Sequence, residues 1–209
     1  MATTTLNPTS NNGILRSEGA AYSDSRAGTG STIINDGSLN QRVGQYLYTP
    51  IYQTYEMFLA FDLSSLAGGS TITAAVLSLY LHFNDADTAF TLEARAYDYG
   101  PSLTNADWVP GGDLAALTLL ASLPVFGIAD TQYITLTDVA MTSYLVPGAI
   151  NRMVLSSSRT RTNNAPTALE YITTYRDAEF GSPPILDLTY TPPAPSSGSE
   201  RLALVGVGA

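Results

Sequence analysis

Apolar and polar residues alternate with a period of two along most of the chain. Over 72–83, Leu77, Leu79, Leu81 and Phe83 fall on one side while Val76, Ser78, Tyr80 and His82 fall on the other, as in a strand with one face in a core. A second alternating run covers 90–97, and Asn84-Asp85-Ala86-Asp87-Thr88 between the two predicts a hairpin loop. Shorter runs predict strands over 46–51, 55–61, 133–136, 152–156 and 185–190. Asn12-Gly13, Asp36-Gly37, Gly68-Gly69, Gly100-Pro101, Gly111-Gly112 and Pro147-Gly148 punctuate them as turns. Many short strands without long helical periods predict an all-β protein, a jelly-roll β-sandwich. One or two short helices fit as well. Residues 137–145 begin with capping residues and stop before Pro147-Gly148, and residues 104–108 suit a single turn carrying the only tryptophan, Trp108.

The pattern changes after Tyr190. Residues 191–199 form a Pro/Ser/Gly linker, and 200–209 an apolar tail, leaving 1–190 as the sandwich domain. In the tail, Leu202, Leu204, Val205 and Val207 have the spacing of a strand that docks on a neighbour's sheet edge.

Composition narrows the function. Of the 209 residues, 44% are apolar and 13% charged, enough apolar surface to fold and to build one sizeable core. Eighteen acidic residues oppose nine basic ones, all arginine, and the net charge of −9 argues against nucleic acid as a partner. The chain has no cysteine, which removes disulfides, thiolate chemistry and cysteine-based zinc sites. Its start, Met1-Ala2-Thr3-Thr4-Thr5-Leu6, lacks the basic and apolar regions of an export signal, and no stretch has the length of a membrane span. The protein is therefore expected to stay where it is made unless a larger assembly carries it out, with no membrane partner.

Three stretches carry a family likeness: Thr3-Thr4-Thr5-Leu6-Asn7-Pro8-Thr9, Tyr55-Glu56-Met57-Phe58-Leu59-Ala60-Phe61-Asp62-Leu63-Ser64-Ser65-Leu66, and Gly69-Ser70-Thr71-Ile72-Thr73-Ala74-Ala75-Val76-Leu77-Ser78-Leu79-Tyr80. With the closing Pro184-Ile185-Leu186-Asp187-Leu188-Thr189-Tyr190, the chain resembles the DNRLRE-type domain, also called disaggregatase-related, over about residues 3 to 190. Glu56-Met57 stands where that family often has an arginine before the Phe-Leu step. The resemblance implies a carbohydrate-binding-like jelly roll. Residues 97–108, with Glu170-Tyr171-Ile172, are similar to the subset found in phage virion and surface proteins.

Catalytic chemistry has little to start from. His82, the only histidine, lies within a regular strand, where a packed or surface role is the commoner one, and no serine-histidine-acid set or distinguished carboxylate pair stands out. The chain is read as no enzyme. Asn84, Asp85 and Asp87, and more weakly Asp24, Asn35 and Asp36, supply oxygens that calcium could use, but a polar turn accounts for them; calcium is possible, and no cofactor is expected. The tyrosines of 46–55, chiefly Tyr46, Tyr48 and Tyr52, together with Trp108, offer rings on which sugars could stack, or else cover a sheet face or an interface between copies. Arg159, Arg161 and Arg176 are placed to hold carboxylates of neighbouring strands or subunits. The resulting expectation is a phage virion structural protein, a minor tail component or capsid decoration made in the host cytoplasm and located in the virion. Its partners would be other virion proteins and copies of itself. The alternative is a carbohydrate-binding module that recognises cell-surface glycans.

Overall fold

The computed structural model describes residues 1–29, 32–36, 40–175 and 182–194. Arg176, the docking residues Leu202, Leu204, Val205 and Val207, and residues 195–199 of the linker lie outside the described residues. In chain order the elements are β1 (Ala2–Leu6), β2 (Gly13–Gly19), helix α1 (Tyr22–Ala27), β3 (Thr32–Asp36), β4 (Asn40–Tyr48), β5 (Ile51–Asp62), β6 (Thr71–Ala86) and β7 (Thr91–Ala96). Two 3-10 turns follow, Asn105–Asp107 and Leu114–Ala116, then β8 (Leu119–Pro124), β9 (Gln132–Leu136), α2 (Val139–Tyr144), β10 (Ile150–Ser157), α3 (Ser158–Arg161), β11 (Leu169–Tyr175) and β12 (Ile185–Thr191). Strands take 49% of the chain and helices 12%, so the protein is all-β, a curled antiparallel sheet.

The sheet runs β1-β12-β6-β11-β4-β5-β10-β7-β8, with β2 joining β3 to β5 and β9 lying on β6. The curl follows from two long strands that each serve three partners. Leu77 of β6 faces both Leu186 of β12 and Leu136 of β9, so those two strands occupy opposite edges. Leu81 faces Thr174 of β11 and Gln132 of β9, so β11 takes over the edge that β12 leaves. In β5 the same handover occurs: β2 lines one edge, while the other passes from β4 at Tyr55 to β10 at Met57. The register shift between Thr173 and Thr174, within the β11–β6 pair just past this handover, adds a local bend.

Inside the curl, Met57, Leu59 and Phe61 of β5 meet Leu77, Leu79, Leu81, Leu92, Leu136, Met153, Leu155 and Leu186 in the main core. The intervening Phe58 and Ala60 are buried as well, with Leu15, Val154, Tyr99, Trp108, Val109 and Leu114 in a second cluster. Burial on both sides explains why Met57-Phe58-Leu59-Ala60-Phe61 is a continuous apolar run while β6 alternates. The second cluster is roofed by residues 97–117, here called the strap.

Most expected strands are present. The 46–51 strand is instead a β4–β5 hairpin turning at Thr49-Pro50, because proline has no N–H to give to a ladder. Residues 84–88 do not close a hairpin: β6 continues to Ala86, paired with β11, and β7 lies elsewhere, between β10 and β8. The Asn84 amide reaches across to the Val125 and Ile128 carbonyls at 2.7 and 2.9 Å, so a loop-like sequence is held in a strand by remote partners. The expected helix at 137–145 is α2, whose Ala140 N–H donates to the Asp138 carboxylate at 2.8 Å. The turn at 104–108 is the 3-10 turn Asn105–Asp107, closed by a Thr104–Asp107 capping box.

Candidate functional site

Five strands bring a line of side chains into register. Arg16 of β2 faces Tyr55 of β5, which faces Gly44 of β4, then Tyr171 of β11, then Asp85 of β6. Residues two apart share a face, so Arg42, Tyr46 and Tyr48 of β4 and Gln53 and Ile51 of β5 lie on the same side. The Arg42 guanidinium sits 4.9 Å from the Tyr171 ring centre and 5.6 Å from that of Tyr55, and donates to the Tyr55 hydroxyl at 3.2 Å. That hydroxyl donates to Gln53, Gln53 donates to Glu18 at 2.6 Å, and Glu18 pairs with Arg16 at 3.0 Å. Tyr46 packs edge-on against Tyr171 and at 5.9 Å against Tyr48, which is 61% exposed. The site is thus an aromatic floor with donors and acceptors fixed around it. Asp85 completes the row; burial, then Asp130 and Asp87, push its pKa up against the pull of Arg42.

A side chain at Gly44 would ruin this row. Its φ of +131° excludes ordinary residues, and a Cβ there would come within 2.3 Å of the Glu170 carbonyl. A glycine inside a strand pattern was the available clue that β11 approaches here. Arg42, Gln53 and Tyr171 had no such signal, since only long-range register assembles them.

The other expected ligand-binding rings lie elsewhere. Tyr52 is on the opposite side of β5, packed against Tyr22 at 5.9 Å. Trp108, within the strap, is 6% exposed and turns inward onto Gly28, where a Cβ would be 2.4 Å from its ring. Of the four ligand-binding rings expected, only Tyr46 and Tyr48 come together. His82 stacks on Phe83, with ring centres 3.8 Å apart. Among the calcium candidates, Asn84 is engaged by its amide as described, and its backbone N–H donates to Asp130 at 2.6 Å. No group of three or more His, Cys, Asp or Glu able to hold a metal occurs among the described residues.

Behind this face lies a buried polar layer. Glu93 of β7 accepts from Arg95 at 2.9 Å and from Arg161 of α3 at 2.8 Å. Burial raises its pKa, and the Arg161 and Arg95 guanidiniums more than offset this, leaving it below the ordinary glutamate value. Glu170 of β11 accepts from Arg159 at 2.6 Å and from Gln45 at 2.7 Å, while Tyr22 donates to Gln45 at 2.7 Å. Two of the expected carboxylate-holding arginines, Arg159 and Arg161, therefore do hold carboxylates within the chain. Glu56 differs. It is 0% exposed, accepts among the described residues only from the Val109 N–H at 3.1 Å, and its burial raises its pKa well above the ordinary value.

No family model matches the chain, and comparison with curated proteins finds no relative.

Proposed function

We propose that the chain is a non-catalytic virion structural protein: a jelly-roll sandwich acting in assembly or surface attachment, as a minor tail component or capsid decoration. The observation that supports this is the use of the buried carboxylates. Glu93 lies between two arginines, Glu170 between an arginine and a glutamine, and Glu56 under the strap, so each ties segments of the chain together. The motif likeness to phage virion domains agrees with it. Mass spectrometry of particles purified to constant composition tests the reading. A fixed copy number per particle is expected, and a protein that washes away would refute it.

A second reading, a glycan-binding module, is favoured by one feature: the Tyr46–Tyr48 surface beside Arg42, Gln53 and Asp85. Sugars combine an apolar ring face with hydroxyls that need donors and acceptors, and this face supplies both. Glycan-array binding that Tyr48→Ala abolishes while the melting curve stays unchanged would establish it, and the two roles are compatible on one particle.

A further inference from the structure

The strap is fastened by arginines at three places. Arg152 of β10 pairs with Asp98 at 3.0 Å and lies 5.7 Å from the Tyr99 ring centre. Arg26 of α1 packs its side chain against Gly111 and accepts the Gly111 N–H on its carbonyl at 2.9 Å. Arg95 donates to the Leu117 carbonyl at 2.8 Å. Between these fastenings the strap lies over a polar weak point. Glu56 Oε1 and the Trp108 indole N–H, both buried, have no hydrogen-bond partner among the described residues, nor does Ser17 Oγ, on β2 beside this patch.

We propose that the strap is a proton-locked cover: with Glu56 neutral it lies closed on the sheet, and ionisation of Glu56 releases it and bares the patch formed by Leu15, Phe58, Ala60 and Val154. A neutral carboxyl is tolerable in this place, whereas a carboxylate with a single N–H donor is not. The cations on the elements packed around it are committed elsewhere. Arg26 donates to the Thr160 and Arg161 carbonyls, Arg95 and Arg161 hold Glu93, Arg152 holds Asp98, and Arg16 pairs with Glu18 on the other side of β2. Within the strap itself, Tyr97 lies near Glu56 and offers it no positive charge, its own pKa raised by burial, then by Asp107 and Glu56, while the Asp107 carboxylate is held by Thr104.

The direction with pH follows. The closed form holds its proton above the pH at which the open form releases it, so closure is strongest below the ordinary glutamate pKa. As pH rises from there toward the raised value, opening grows about tenfold per pH unit, then levels off. Hydrogen exchange, expressed as protection of the Val109 amide relative to its intrinsic rate, reads this directly. In the full chain, Val109 protection is expected to fall about tenfold per unit from pH 5 upward while amides of β6 keep theirs. Glu56→Gln, which still accepts the Val109 N–H and cannot ionise, abolishes the slope. Trp108→Phe, which keeps the carboxyl and thins the cover, lowers protection at every pH and keeps the slope. Flat wild-type protection between pH 5 and 8, parallel loss in β6, a slope surviving in Glu56→Gln, or a slope lost in Trp108→Phe would each overturn the proposal.

Discussion

Replacing Glu93 by glutamine asks how much the paired arginines contribute. The substitution keeps the shape and removes the charge that faces Arg95 and Arg161. The two arginines then part ways. The Arg95 side chain is 6% exposed and retains only the Leu117 carbonyl, so its guanidinium is left with an uncompensated charge, whereas Arg161, at 28%, can turn to water. Breaking a buried pair from one side costs about 3 kcal/mol or more. With a urea m-value of about 2 kcal/mol/M, that lowers the midpoint by about 1.5 M at pH 7. Arg161→Ala, which leaves Glu93 paired with Arg95, costs no more than about 1 kcal/mol. The pH dependence gives a second measure. Because the folded Glu93 pKa lies below the unfolded one, its contribution is present above the ordinary glutamate pKa and is lost as pH falls through the folded value. The gap between wild type and Glu93→Gln should therefore narrow below about pH 4. A midpoint within about 0.3 M of wild type at pH 7, or a gap that widens in acid, would refute this account of the clasp.

Gly44→Ala combines a forbidden φ with a Cβ 2.3 Å from the Glu170 carbonyl, so it should destabilise by more than about 2 kcal/mol in thermal melts; a neutral result would mean β11 does not lie where described. Excess chelator should shift the melting temperature by less than about 1 °C, because a ligand bound only to the folded state would show itself by mass action; a larger drop would show that the folded chain holds a cation. Deleting residues 192–209 should leave a folded, soluble monomer, as measured by circular dichroism and light scattering, that no longer joins the assembly. Undiminished incorporation into particles would remove the anchoring role of Leu202, Leu204, Val205 and Val207.

What the chain determines by itself is local. The alternation of Leu77, Leu79 and Leu81, the short helix capped at Asp138 and the turn before Trp108 can all be read from neighbours in sequence, because side-chain period and capping need only a few adjacent residues. Glu56 stood out in the sequence only by replacing, with Met57, an arginine common in the resembled family; its burial was not legible. Which strands become neighbours was decided by tertiary structure. Residues 84–86 look like a loop and form a strand because β11 pairs with them. Tyr46 and Tyr52 belong to one tyrosine run, yet the hairpin turn and the two-residue period put them on opposite sides of the sheet. Trp108 could have been displayed or buried with equal ease by the same turn, and the bare backbone of Gly28, 80 positions away, receives its ring. Period two assigns a residue to a side of its own strand, but the side that meets the core depends on partners at a separation where local pattern carries no information.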